Sequence, residues 1–169
     1  MQFGCCNDFF SDRDLEVFEA FLQQIVNKLG IDLILEEVSD EGKNYFCESI
    51  KMTLAENVCE TLKLGHVNAD PSGQERMERG IRSRYDIATY LGISKEKISL
   101  RETEINKEAA PDDRKREGFW YEKLLPHISK RCLFICGYEH VEPFLQLLRF
   151  KGLPVKILKI IRSSPVDLG

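Results

Sequence analysis

Apolar positions recur along this chain with two different periods, and the two alternate. Leu15, Phe18, Leu22, Ile25 and Leu29 return every three or four residues, the period that gives a helix one buried face. Ser11 stands in the capping position before them with Asp14 three residues on, and Gly30 supplies a left-handed stop. Ile31-Asp32-Leu33-Ile34-Leu35 then forms a β-rich run too short for another helix, ending abruptly at Glu36-Glu37. A second helical stripe, Ile50, Leu54, Val58 and Leu62, has Gly65 as its expected stop. His66 to Pro71 is the weakest strand expectation, closed by an Asp-Pro turn.

Beyond it, Ser72 to Leu91 reads as helical in part, with a break at Gly80, and Phe119, Trp120, Leu124 and Leu125 predict a short amphipathic helix. Arg131 to Cys136 reads as a buried strand. Gly137-Tyr138-Glu139-His140 turns into a helix carrying Val141, Phe144, Leu145 and Leu148, stopped by Gly152. Met1–Cys6 and Pro154–Ile161 complete the pattern as first and last strands.

Strand and helix alternate about five times, and parallel neighbours need crossovers that helices provide. The expected fold is α/β: a single three-layer domain over residues 1–169, with a mainly parallel sheet of about five strands and helices on both faces. One segment breaks the pattern. Between Ile93 and Glu117, 14 of 25 residues are charged, so this stretch reads as a solvated face or as a charged excursion or lid.

Composition narrows the function classes. With 43% hydrophobic and 31% charged residues the chain is an ordinary globular one, and a net charge of −4 argues against a general nucleic-acid binder. No apolar stretch approaches the roughly 20 residues of a membrane span. The start, Met1-Gln2-Phe3-Gly4-Cys5-Cys6-Asn7-Asp8, has no basic region and no long apolar run, so no secretory leader is read and the expected location is cytoplasmic. In a reducing compartment the six cysteines are thiols, none in a CxxC pair, and they read mainly as small buried side chains.

In an open parallel sheet the ligand crevice lies beyond the carboxyl ends of the strands. The residues just past each expected strand are Asn7 and Asp8, Glu36 and Glu37, Asp70, and Glu139 with His140. A histidine among carboxylates can bind a divalent metal or exchange protons. Plain turn chemistry stands beside this for Asp8 and Asp70, and a helix-start role for His140; His66 and His127 read as structural. Glu36-Glu37 is harder to dismiss, because successive strand side chains point to opposite faces and at least one glutamate meets the crevice or the interior.

A second signal is basic. Arg76, Arg79, Arg82 and Arg84 cluster around Gly80, interleaved with Glu75 and Glu78. They read either as a mutually neutralised surface helix or, turned inward, as forks for an anionic ligand. Arg116-Glu117, ahead of Trp120, is placed to close the crevice from the charged segment.

The stretch Leu133-Phe134-Ile135-Cys136-Gly137-Tyr138-Glu139-His140-Val141, followed by Leu147 to Val155, is similar to the distal GxxH block of the TraB/PrgY, erythromycin-esterase and ChaN-like haem-uptake superfamily. In that superfamily a strand ends in GxxH, a helix follows, and a glycine leads to the next strand. It also has an earlier GxxH after its first strand and glutamates after its second. Here Gly4-Cys5-Cys6-Asn7 and Glu36-Glu37 take those places. The resemblance implies a metal-dependent hydrolase site, as in the peptidase-like members, or a haem or small-ligand site as in others. Asn7 stands where the first histidine is expected; its carbonyl oxygen can coordinate, but it cannot act as a histidine base.

These readings give one leading expectation: a metal-dependent, hydrolase-like protein acting on a small or anionic substrate at the carboxyl edge of the sheet. Glu36, Glu37 and His140 would be acid–base groups or ligands of a divalent metal (manganese, zinc or cobalt, with haem less favoured). Asn7, Asp70 and the Gly137 turn would orient the ligand, and Arg76, Arg79 and Arg82 would hold its anionic group. A metal-bound water would be the nucleophile, with Cys136 as a minor candidate. The competing expectations are a non-catalytic module sensing a nucleotide or another anion, and an interaction protein docking a partner through residues 93–117. A homodimer is compatible with any of them.

Overall fold

A computed structural model of the chain describes residues 12–41 and 52–158. The first helix, α1 (Asp12–Leu29), leads into strand β1 (Leu33–Glu36); α2 (Leu54–Leu62) precedes β2 (Gly65–Asn68). Two short helices follow, α3 (Gly73–Glu78) and α4 (Arg84–Tyr90). Two single-turn 3-10 segments, Lys95–Lys97 and Ser99–Arg101, then open onto the long helix α5 (Glu102–Leu124). Strand β3 (Cys132–Ile135) and helix α6 (Tyr138–Phe150) close the order.

The three strands form a parallel sheet in the order β2-β1-β3, with Leu33 in register with Gly65 on one side and Cys132 on the other. The chain is therefore α/β, with three strands among the described residues where about five were expected for the whole. The expected first strand, Met1–Cys6, lies outside the described residues. Residues 153–158, where a last strand was expected to begin, lie in no regular element; Leu153 and Val155 instead lay their side chains against the core. Residues 159–161 lie outside the described part.

Alternation along β1 sorts the interior into two halves. Leu33 and Leu35 face Phe119, Trp120 and Leu124 of α5 and Phe144 and Leu148 of α6. Ile34 faces the other way, onto Leu22 and Val26 of α1 and Ala55, Val58 and Cys59 of α2. Strand β3 obeys the same parity: Cys132 and Phe134 join the first group, Leu133 and Ile135 the second. A smaller cluster, Ile87, Ala88, Ile93, Ile105 and Ala109, ties α4 to α5.

Two local expectations are corrected. Helix α2 starts on Thr53, whose side chain and that of Glu56 form a reciprocal capping box, and it ends on Lys63 in the left-handed conformation (φ 57°) rather than on Gly65. Gly65 opens β2 instead, and the reason is space: a Cβ there would lie 2.6 Å from Leu33 Cδ1. The charged stretch 93–117, read as a solvated face, excursion or lid, lies mostly on α5, where Ile105, Ala109, Asp112 and Glu117 are buried. Part of its charge pairs with neighbouring elements, Glu108 and Asp112 with Arg82, and Arg116 with Glu37 and Asp70. Lys95, Glu96, Lys97, Glu102 and Lys107 form the exposed face the sequence suggested.

Candidate functional site

The carboxyl ends of the strands meet α5 and the start of α6, and the polar side chains gathered there centre on Arg116. This residue projects from α5 toward the sheet edge with only 12% of its side chain exposed. Its Nε donates to Asp70 Oδ1 at 3.0 Å, and its Nη2 donates to Asp70 Oδ1 at 2.8 Å and to Glu37 Oε1 at 2.6 Å. Nη1 lies 3.3 Å from His140 Nε2 and 3.5 Å from Asp113 Oδ1. Every nitrogen of the guanidinium is engaged. Burial opposes its charge, but Asp70 and Glu37 outweigh burial and hold its pKa above the ordinary arginine range.

Each partner is fixed by its own element. Glu37 follows β1 on the side of Leu33 and Leu35, and its second oxygen accepts the Gly137 N–H at 2.7 Å. That contact is why position 137 is tight: a Cβ there would stand 3.3 Å from Glu37 Oε2. Asp70, just past β2, takes Trp120 Nε1 at 3.1 Å on Oδ1 and Arg76 Nη2 at 2.5 Å on Oδ2. His140 sits in the first turn of α6, 3% exposed, and packs edge-on against the Trp120 ring at 5.0 Å.

His140 is the chemically defined member of the cluster. Its Nδ1 lies 3.0 Å from Oε1 of Glu117, a carboxylate 1% exposed, whose other oxygen takes Arg114. Arginine can only donate, so the Arg116 contact requires an acceptor at Nε2. In the neutral ring the proton therefore sits on Nδ1 and is given to Glu117, while the Nε2 lone pair faces Arg116 and Glu37, whose Oε1 is 3.5 Å away. A buried carboxylate fixing one imidazole nitrogen and leaving the other as a base is the arrangement that general-base histidines use.

The remaining expected residues divide. Glu37, Asp70, Arg76, Gly137 and His140 come together as described. Glu36 lies on the opposite side of the sheet, as strand parity demands: its Oε2 accepts Thr53 Oγ1 at 2.6 Å and His66 Nε2 at 3.1 Å. Arg79 forks onto exposed Glu122 at 3.1 and 2.7 Å, and Arg82 is held by Asp112 and Glu108. Both are paired with carboxylates of α5. Asn7 lies outside the described residues. Cys136 stands beside the site, but burial first, and then the charges of Glu37 and Glu117, push its thiol up to about 12, which leaves almost no thiolate at neutral pH.

Among the described residues no three His, Cys, Asp or Glu side chains stand arranged to hold a metal ion. The expected Glu36–Glu37–His140 ligand set is split between the two faces of the sheet, and the crevice-facing lone pairs of Glu37 and His140 are directed at a guanidinium.

Arg116 and Glu117 carry more of the site than the strand-end residues alone do, and Trp120 joins them. The signal for them was present: a buried aromatic three and four residues beyond two adjacent charges puts all three on one helix face. Asp112, Asp113 and Arg114 had no comparable signal inside a run of charges. No family model, no curated protein and no solved structure matches the chain. Among the described residues no helix is long and apolar enough to cross a membrane.

Proposed function

We propose that this chain is a hydrolase-like protein whose carboxyl-edge crevice acts on a small substrate by proton transfer through His140. The observation that carries this reading is the Glu117–His140–Arg116 arrangement: a 1%-exposed carboxylate and a 3%-exposed imidazole held together at the sheet edge. Burying an ionised carboxylate is costly for stability alone, and here it fixes the tautomer that leaves Nε2 a proton acceptor.

In this reading a water replaces the 3.3 Å Arg116 contact at Nε2, gives up its proton there and forms the new bond to the acyl or phosphoryl centre of the substrate. The imidazolium so formed donates to Glu117 from Nδ1 and to Glu37 from Nε2, so both carboxylates stabilise the charge that develops. Arg116 holds Glu37 and Asp70 in place. As the bond to the leaving group breaks, His140 returns the proton to the departing atom. The likeness to the TraB/PrgY and erythromycin-esterase superfamily at the GxxH block points the same way, toward hydrolysis.

The test is turnover of p-nitrophenyl acetate, p-nitrophenyl phosphate and a p-nitroanilide, compared with His140→Gln and Glu117→Gln. At least one substrate should be hydrolysed, with kcat lowered about a hundredfold or more by His140→Gln and lowered by Glu117→Gln with KM little changed. Failure to turn over any of the three, or an undiminished rate in His140→Gln, sinks the catalytic reading.

A further inference from the structure

The arginines around the crevice are not equivalent. Arg76, Arg79, Arg82 and Arg116 each donate at least one hydrogen bond to a carboxylate. Arg84 is different. It is the first residue of α4, behind the capping residue Ser83, and its side chain is 22% exposed. Its one ion pair among the described residues is with Glu139 at 3.6 Å, beyond hydrogen-bonding distance, so its donors stay unused there. Glu139 is 55% exposed and immediately precedes His140.

The backbone holds Arg84 in place. Just upstream, the Arg82 amide and guanidinium are bound to Asp112 at 3.2 and 2.9 Å, and Lys115 Nζ reaches the Gly80 carbonyl at 2.5 Å. The start of α4 is thus pinned to α5 while the Arg84 side chain extends toward the first turn of α6. A largely buried guanidinium without hydrogen bonds has lost water contacts and gained little in return. A long ion pair to an exposed glutamate contributes at most about 1 kcal/mol, so Glu139 is readily displaced. The planar fork matches a carboxylate or phosphate.

We propose that Arg84 is the anion-binding residue of the crevice: it takes the carboxylate or phosphate group of the substrate, and Glu139 occupies it when no substrate is bound. This rests on the reading of the crevice as a substrate site and names its substrate class, small molecules bearing an oxyanion beside the bond attacked. It also places the anion-holding role on the neighbour of Arg76, Arg79 and Arg82, which already donate hydrogen bonds to carboxylates.

Removing either partner of a purely structural ion pair gives changes of the same sign. The proposal requires opposite signs. Inorganic phosphate and acetate are titrated at constant ionic strength against chloride, following the backbone amide resonances of residues 84 and 138–140. At least one of the two anions should bind saturably, and which one does decides between phosphate and carboxylate substrates. Arg84→Gln should weaken that binding about tenfold or more, and Glu139→Gln should tighten it several-fold by removing the competitor. Binding of neither anion, or variants that shift affinity in the same direction or not at all, overturns the proposal. Because no turnover is needed, opposite-signed effects alongside a catalytically silent chain would retain this subsite and remove only the hydrolase reading.

Discussion

Arg116→Met is expected to lower the unfolding temperature by about 10 °C. Its guanidinium is the one positive charge bonded to both Glu37 and Asp70, and it lies within 3.5 Å of Asp113 as well. These carboxylates are 18%, 10% and 15% exposed, so water recovers only part of the lost solvation. Removing one partner of a buried pair costs about 3–5 kcal/mol, the lower end applying to groups that keep some water contact. For a chain of this length each kcal/mol shifts the midpoint by about 2–4 °C. Arg116→Lys keeps the charge but offers one nitrogen in place of three, and should recover less than half of the loss. Adding Glu37→Gln to Arg116→Met should recover part of it, because Glu37 loses its arginine partner while Asp70 keeps Arg76. Thermal unfolding followed by circular dichroism reads all three; a shift of only about 1–2 °C for Arg116→Met would mean that the cluster is not held by this residue.

Trp120→Ala should cost about 3–5 kcal/mol, the usual range for deleting a large buried aromatic. The ring is fully buried and touches Phe134, Phe144 and His140 at centroid distances of 5.4, 5.5 and 5.0 Å. It therefore belongs both to the core under the sheet and to the wall of the site. Its second role is separable, because Nε1 donates to Asp70 Oδ1. Trp120→Phe keeps most of the packing and removes one donor, while Asp70 Oδ1 keeps both Arg116 bonds, and should cost about 1–2 kcal/mol, one lost hydrogen bond plus a smaller ring. Urea unfolding with an unchanged slope gives both values. Equal losses in Ala and Phe would place the whole effect in the hydrogen bond and none in packing.

Much of the framework was legible in the chain. The helical stripe around Leu22, the run Leu33 to Leu35 and the apolar run before Gly137 each became the element their period predicts, because burial on one face leaves a strong periodic signal. The five-strand count was not: Pro154 onward has β-rich composition, but the described residues 153–158 pair with no strand. The split between Glu36 and Glu37 followed from alternation alone, and only the choice of which faced α5 and α6 needed coordinates. What composition hid was α5. Its charged residues carry no apolar stripe in 102–117 because Asp112, Arg116 and Glu117 take core-facing positions and are satisfied by partners 23 to 79 residues distant in sequence. A polar group buried against a distant partner looks the same in one sequence as a polar group in water.

Every step of the proposed chemistry needs the lone pair of His140 on Nε2. Two-bond proton–nitrogen correlation spectra of the ¹⁵N-labelled imidazoles read this directly. The expected result, at a pH where the ring is neutral, is the proton on Nδ1 and an unprotonated Nε2, and loss of that tautomer's dominance in Glu117→Gln. A proton found on Nε2 in the neutral ring, or a tautomer mixture indifferent to Glu117, would contradict the assignment of His140 as the proton acceptor of the site.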